Sequence, residues 1–153
     1  MMTTASNVIA ALAGKTLVTA ESLTGGGIGG VLTSVPGASK VFKGGVISYT
    51  DEIKRDVLGV ASADLQTFGA VSAPVARAMA EGVRRLLQAD IAVSVTGLAG
   101  PDGDAFGHPV GTVFIGYASC HKMIVRECHF VGDREAVRTQ TIRSALELIL
   151  ENL

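Results

Sequence analysis

The sequence predicts an α/β fold in which helices cover both faces of a mixed, mostly parallel sheet. Apolar segments of strand length alternate with segments of helical periodicity, which is typical of a sheet covered by helices. Two strand-like segments near the end of the chain are joined by a tight turn, and such a hairpin makes at least one strand antiparallel. A length of 153 residues suits one domain with its own core, so we predict a single domain over residues 1–153.

The first predicted elements surround a turn that is rich in glycine. A helix over residues 6–13 ends at Gly14, because glycine readily adopts the backbone conformation that closes helices. A buried strand over residues 15–20 follows. The turn then opens a helix over residues 24–33, which ends before a Pro-Gly pair.

The remaining elements follow from β-branched and aromatic residues in the strands and from helical spacing in the helices. We predict, in this order, a strand over residues 41–50, two short helices over 52–58 and 62–68, a long helix over 73–88, three strands over 90–95, 111–118 and 123–130, and a final helix over 134–150. The long helix has Ser72 as its N-cap and Pro74 in its first turn. Its predicted core stripe is Val75, Met79, Val83, Leu86 and Leu87. The final helix is capped by Asp133, with predicted core positions Val137, Ile142, Ala145, Leu146 and Ile149.

Composition argues against several classes of partner. The 13 basic and 14 acidic residues are scattered, so no basic surface for nucleic acid is expected. No segment approaches the roughly 20 apolar residues that span a membrane, and no secretion signal is visible. We therefore predict a cytoplasmic protein, and the 48% hydrophobic content predicts a homo-oligomer.

The two cysteines do not indicate a disulfide framework or a metal site. Cys120 and Cys128 are too few for a disulfide-stabilised scaffold. His121 and His129 flank them, but the four residues lack the spacing of a structural zinc site. No metal site is predicted.

The most informative segment is Thr-Ala-Glu-Ser-Leu-Thr-Gly-Gly-Gly at residues 19–27. It lies between a predicted strand and a predicted helix, where free backbone amides attract anions and glycines let a ligand approach. Ser22 would stand at the end of the strand, facing a cleft. Thr24, Gly25 and Gly26 are candidates to bind either a phosphate or an oxyanion.

This segment resembles the Thr-Ala-Glu-Ser-Cys-Thr-Gly-Gly signature of the CinA C-terminal domain family, with Leu23 in place of the usual cysteine. Other segments resemble further blocks of the family in the family's order, at residues 34–42, 44–54, 69–72, 95–101, 109–113 and 130–134. The resemblance covers residues 8–150. It implies a three-layer α/β/α sandwich around a mixed sheet.

The resemblance also implies an activity, that of the stand-alone, PncC-like nicotinamide-nucleotide amidase. This amidohydrolase converts nicotinamide mononucleotide and water to nicotinic acid mononucleotide and ammonia. In the implied acyl-enzyme route, Ser22 attacks the carboxamide carbon and Tyr49, aided by Lys54, accepts the proton. Backbone amides around residues 24–26 stabilise the oxyanion. The route needs no metal or organic cofactor, and the expected partner is a small-molecule nucleotide.

Each catalytic role has a structural alternative that the sequence leaves open. Ser22 is otherwise a serine that caps a helix, Tyr49 a residue at the sheet edge, and Lys54 a solvated helix residue. Leu23 and Asp51 both depart from the family pattern, which has asparagine at the second position. A second interpretation is therefore a degenerate nucleotide-binding protein, or a competence- or damage-related interaction protein.

Further candidates for substrate binding lie in three segments. Glu21 is a candidate for acid-base chemistry, for binding ribose, or for bonding the amides of its own turn. Thr96, Gly97 and Gly100 begin a second glycine-rich loop that either cradles phosphate or ribose or is a flexible connection. Arg134 either neutralises a phosphate or is an exposed residue of the first helical turn.

The same loop carries residues to which we assign no catalytic role. Asp102 and Asp104 lack the remaining ligands of a calcium-binding loop, so we expect solvated turn residues. His108 stands where the family often has lysine, and a Ser-His-Asp triad is not the preferred interpretation.

Overall fold

The computed structural model describes residues 1–153 and confirms the predicted fold class. The elements follow the predicted order, with one additional 3₁₀ turn. They are α1 (Met2–Ala11), β1 (Leu17–Glu21), α2 (Gly27–Thr33), the 3₁₀ turn (Ala38–Lys40), β2 (Phe42–Ile47), α3 (Asp51–Asp56), α4 (Ser62–Phe68), α5 (Ala73–Leu87), β3 (Ile91–Gly97), β4 (Thr112–Ala118), β5 (Met123–His129) and α6 (Arg134–Glu151).

The five strands form one sheet in the order β2-β1-β3-β4-β5. β1 pairs in parallel with β2 and with β3, whereas β4 pairs antiparallel with β3 and with β5. Four strands therefore share one direction, and β4 runs against them. The carboxyl ends of β2, β1 and β3 meet at one edge of the sheet, where ligands of α/β proteins commonly bind.

Alternating side chains along the central strands supply two separate cores. Leu17 of β1 packs among α1, α2 and α6 on one face, while the next residue, Val18, packs against α5 on the other. Ile91 and Ala92 of β3 divide between the two faces in the same way, as the two-residue period of a strand requires. The sheet is thus the middle layer of an α/β/α sandwich.

Helices α1 and α2 begin at Met2 and Gly27 rather than at the predicted residues 6 and 24, and two side chains of the α5 region also differ from the sequence prediction. Leu86 is 50% exposed rather than part of the α5 core. Its helical spacing aligns it with Val75, Met79 and Val83, but it lies in the last turn of α5, which ends at Leu87. Ser72 occupies the N-cap position of α5, but its hydroxyl donates a hydrogen bond to the Gly69 carbonyl instead of capping the helix. None of the helices has the length and apolar character needed to cross a membrane.

Candidate active site

A cleft of about 460 Å³ opens at the edge of the sheet where β1, β2 and β3 end. Seven of the eleven residues singled out by the sequence line it: Ser22, Tyr49, Lys54, Thr96, Gly97, Gly100 and Arg134. The other four, Glu21, Thr24, Gly25 and Gly26, lie outside its lining. The cleft therefore brings together segments that are up to 112 positions apart in the chain, from Ser22 to Arg134.

A serine and a lysine form the centre of the cleft. The Lys54 Nζ atom lies 3.0 Å from the Ser22 Oγ atom. It also donates hydrogen bonds to the Ser48 carbonyl at 2.7 Å and to the Tyr49 carbonyl at 3.5 Å. A neutral amine has two N–H groups and one lone pair, so two carbonyl acceptors leave the lone pair for the serine hydroxyl. This arrangement matches a serine nucleophile paired with a lysine base.

Burial favours the role of Lys54 as a base. Its side chain is 1% exposed, and burial lowers the pKa of its ammonium to about 8, although the Asp51 carboxylate acts in the opposite direction. With this pKa, roughly a tenth of the lysine is neutral at pH 7, far more than for a solvated lysine. The structural alternative of a solvated helix residue is therefore wrong for Lys54.

Local capping places Lys54 under the end of β1. Helix α3 begins directly after Thr50, whose hydroxyl accepts a hydrogen bond from the Ile53 amide at 3.4 Å. The Lys54 amide then closes the first helical turn by donating to the Thr50 carbonyl at 3.1 Å. The lysine therefore leaves the first turn of a helix that starts only a few residues beyond β2.

Tyr49 does not reach Ser22, in contrast to the expected contact. Its side chain is 57% exposed, and its hydroxyl accepts a hydrogen bond from the Arg134 guanidinium at 3.0 Å. Ser48, one position earlier, is fully buried and donates to the Glu21 carbonyl. Because neighbouring side chains of an extended segment point to opposite sides, the inward Ser48 turns Tyr49 outward. Only the Tyr49 carbonyl faces the lysine.

Glu21 serves the turn rather than the cleft. Its buried carboxylate accepts hydrogen bonds from the Thr24 hydroxyl at 2.5 Å, the Ile28 amide at 2.9 Å and the Gly29 amide at 3.0 Å. These are the amides at the start of α2 that a phosphate would otherwise bind. Of the alternatives for Glu21, the structure shows the bonding of its own turn, and Thr24 is engaged in the same network.

Because of this hydrogen-bond network, we expect the stability of the protein to depend on Glu21. Glu21→Ala is expected to lower the free energy of unfolding by about 3 kcal/mol, because it leaves the buried Ile28 amide, the half-buried Gly29 amide and the buried Thr24 hydroxyl without an acceptor. Thermal or denaturant unfolding followed by circular dichroism measures the loss. Glu52→Gln, which removes the same charge from an exposed position, is the control and should unfold like the wild type. Equal stability of both variants would contradict this role of Glu21.

The turn after Ser22 offers backbone amides that have no partner within the chain. The Gly25 amide donates to the Ser22 carbonyl at 3.1 Å, whereas the amides of Leu23, Thr24 and Gly26 make no internal hydrogen bond. Gly26 has a φ of 100°, a left-handed conformation that favours glycine. Unpaired amides next to a serine are the donors from which oxyanion holes are built.

Arg138 fixes this turn and was missed by the sequence analysis. From α6, its Nε atom donates to the Leu23 carbonyl at 3.0 Å and a terminal nitrogen donates to the Thr24 carbonyl at 3.3 Å. The guanidinium thereby orients the peptide groups that follow Ser22. No local signal in the sequence identifies Arg138, since its contacts lie 114 and 115 positions away.

Arg134 links the two walls of the cleft. One terminal nitrogen donates to the Gly100 carbonyl at 2.6 Å and the other to the Tyr49 hydroxyl at 3.0 Å. The Thr96 hydroxyl is also hydrogen-bonded within the chain, since it donates to the Ala70 carbonyl at 2.9 Å. Gly97 lies so close to β4 that a Cβ atom would approach the Thr112 carbonyl oxygen to 2.8 Å. The end of β3 and the start of the loop after it are therefore held by contacts with β4, α6 and the Ala70 carbonyl, and this segment is not a flexible connection.

Asp104 is likewise not a solvated turn residue. One of its oxygens accepts the amides of Phe106 and His108 at 3.1 and 3.0 Å, and the other lies 2.7 Å from His108 Nδ1. Elsewhere, Cys120 and Cys128 are free thiols. No group of three or more histidine, cysteine, aspartate or glutamate residues is arranged to hold a metal ion.

Comparisons with known proteins point to one family. A family model described as the CinA C-terminal domain matches residues 2–153. A CinA-like protein of Thermotoga neapolitana is 45% identical over 139 residues, which make up 91% of this chain and 34% of that protein. This chain thus spans about a third of the length of the curated relatives it matches.

Solved structures agree with the sequence comparison. The crystal structure of a competence/damage inducible protein from Agrobacterium tumefaciens superposes with a TM-score of 0.95 at 38% identity, covering 98% of this chain and 93% of that one. The competence damage-inducible protein A of Klebsiella pneumoniae gives a TM-score of 0.96 at 35% identity, covering 99% and 95%. The whole fold is therefore shared with these proteins.

Proposed function

The chain belongs to the CinA C-terminal domain family, and from that premise we propose that it hydrolyses the carboxamide of nicotinamide mononucleotide. The observation that carries this proposal is the contact between Ser22 Oγ and the buried amine of Lys54 at 3.0 Å. A hydroxyl becomes an effective nucleophile only when a base removes its proton, and Lys54 is a base within hydrogen-bond reach.

The first step forms an acyl-enzyme. The neutral Lys54 amine takes the hydroxyl proton as the Ser22 Oγ atom bonds to the carboxamide carbon. The carbonyl oxygen becomes an oxyanion, which free backbone amides of the turn after Ser22 stabilise, foremost that of Leu23, which lines the cleft. The resulting Lys54 ammonium then gives its proton to the amide nitrogen, the carbon–nitrogen bond breaks, and ammonia leaves an ester on Ser22.

The second step releases the acid. Lys54, neutral again, takes a proton from a water molecule while the water oxygen bonds to the ester carbon. The tetrahedral intermediate collapses, the bond to Ser22 breaks, and Lys54 returns the proton to the serine oxygen. The products are nicotinic acid mononucleotide and the enzyme with its Ser22 hydroxyl restored, and no cofactor takes part.

Arg134 is the residue we assign to the phosphate. It lies at the rim of the cleft, its guanidinium is held on both sides by the Gly100 carbonyl and the Tyr49 hydroxyl, and its remaining N–H groups are free. A planar guanidinium in a fixed position suits bidentate binding of a phosphate. Gly100 and Tyr49 thus contribute by positioning Arg134.

Ammonia release from nicotinamide mononucleotide by the purified protein, in the presence of a chelator, tests the proposal. Formation of ammonia and nicotinic acid mononucleotide in equal amounts is the expected result. No turnover, with the nucleotide still bound, would favour the degenerate binding protein instead. The intact Ser22–Lys54 contact argues against that alternative, although Leu23 and Asp51 depart from the family pattern.

The pH dependence of the reaction follows from Lys54. Because only the neutral amine accepts the serine proton, kcat/KM should rise about tenfold per pH unit at low pH and level off above the Lys54 pKa of about 8. The Asp51 carboxylate raises that pKa, so Asp51→Asn should move the midpoint of the profile to lower pH. Glu52→Gln removes the same charge from the same helical turn but outside the cleft, and should leave the midpoint in place. Equal midpoints for all three proteins would exclude the coupling of Asp51 to the base.

A further inference from the structure

Phe106 is an exposed aromatic side chain that the proposed mechanism does not use. It is 47% exposed and lines the same cleft as Ser22. It lies in the loop after β3, whereas Tyr49 follows β2. Since β1 lies between these two strands in the sheet, the two exposed rings stand on either side of the strand that carries the nucleophile.

The loop holds Phe106 in a fixed position. Asp104 accepts a hydrogen bond from the Phe106 amide at 3.1 Å and is itself joined to His108 through the ring nitrogen at 2.7 Å. The aromatic ring packs over Gly69, where a Cβ atom would approach the ring carbons to 2.6 Å. Only glycine at position 69 leaves room for the ring. An exposed ring that is fixed in advance loses little entropy when a ligand packs against it.

The charges that line the cleft favour a cationic ring near Phe106. Three carboxylates, those of Asp51, Asp102 and Asp104, line it together with the two basic residues Lys54 and Arg134. Burial alone would raise the pKa of Asp104, but hydrogen bonds from His108 outweigh it and the net pKa lies below the usual value. Asp104 therefore stays ionised at neutral pH. A planar cation is attracted both to carboxylates and to the face of an aromatic ring.

We propose that Phe106 is the platform on which the cationic pyridine ring of the substrate lies, and that it makes the cleft selective for a cationic over an uncharged ring. This inference rests on the proposed function, since the pyridine ring of nicotinamide mononucleotide carries a positive charge at its substituted nitrogen. The reduced nucleotide has the same phosphate, ribose and carboxamide but an uncharged ring. Phe106 thus sets specificity by contact with the part of the substrate next to the reacting carboxamide.

Binding to protein that cannot turn over separates this inference from the proposed function. In the Ser22→Ala background, calorimetry gives the Kd of nicotinamide mononucleotide and of its reduced form for Phe106, Phe106→Leu and Phe106→Tyr proteins. Leucine keeps an apolar side chain over Gly69 but has no aromatic face, so it should weaken binding of the cationic nucleotide about two- to thirty-fold. It should change binding of the reduced nucleotide much less. Tyrosine should restore the affinity.

Phe68→Leu is the matched control, because Phe68 is exposed to a similar degree, 44%, and does not line the cleft. Its affinity for both nucleotides should equal that of the parent. An equal loss for the two nucleotides in Phe106→Leu, or no loss for either, would overturn the inference, as would a parent protein that binds neither. The proposed function is judged separately by ammonia release from the protein with Ser22 intact, which can succeed while the Phe106 inference fails.

Discussion

Replacement of Lys54 by methionine is expected to lower kcat/KM for nicotinamide mononucleotide by about 10²- to 10⁴-fold, the usual contribution of a general base. Methionine fills a similar volume under the end of β1 but cannot accept the proton of Ser22, which lies 3.0 Å from the amine in the wild type. Steady-state ammonia release measured above pH 8, where the wild-type lysine is mostly neutral, gives the ratio. Activity close to that of the wild type would show that another group is the base.

The same variant has a signature in stability that a solvated lysine would lack. The pKa of Lys54 is about 8 in the folded protein, against 10.5 for a free lysine. The unfolded chain therefore binds a proton that the folded protein has released between these two pH values, and stability rises with pH across this window. Relative to Lys54→Met, the wild type should gain about 3 kcal/mol in free energy of unfolding from pH 8 to pH 10.5.

Denaturant unfolding at several pH values measures this difference, with Lys40→Met as the control. Lys40 is exposed, so its replacement removes the same charge without relieving a buried amine. The difference in free energy of unfolding between the wild type and Lys40→Met should stay nearly constant from pH 8 to pH 10.5. A constant difference for Lys54→Met as well would mean that the lysine is not held neutral in the folded protein.

Replacement of Ser22 by alanine has the largest expected effect on catalysis, a loss of roughly 10⁴- to 10⁶-fold in kcat, by analogy with other serine nucleophiles. The serine hydroxyl forms the covalent bond in the proposed route. The other hydrogen-bond partners of Lys54 are backbone carbonyls, which cannot replace the hydroxyl. Affinity for the nucleotide should change little, since the hydroxyl is one small group in a large cleft. Ser39→Ala, which removes an exposed hydroxyl away from the cleft, should leave turnover unchanged.

The order of the elements could be predicted because its signals are local. The stripe of α5, the glycine-rich turn after β1 and the hairpin of β4 and β5 each show within a few residues of sequence. Asp133 caps α6 as expected, accepting a hydrogen bond from the Ala136 amide at 2.9 Å. The exposure of Leu86 was missed because it depends on how far the sheet extends under α5, which no local pattern shows.

The candidate site was predicted less completely, for a related reason. The position of Ser22 at the end of β1 follows from the turn that carries it. Whether Tyr49 or Lys54 is the base that contacts Ser22 depends on which side chains point inward after β2. The buried Ser48 decides that choice, and its direction is a property of the folded sheet. Arg138 could not be found at all, because its role exists only once α6 packs beside the turn after Ser22. The oligomeric state stays a prediction.

Ammonia release measured side by side for the wild type and Ser22→Ala tests whether Ser22 and Lys54 form a hydrolytic pair. Both proteins are incubated with nicotinamide mononucleotide and a chelator at pH 9, where Lys54 is mostly neutral. We expect steady turnover by the wild type and none above background by the variant, with both proteins folded and binding the nucleotide. Equal turnover by a correctly folded Ser22→Ala protein would contradict it.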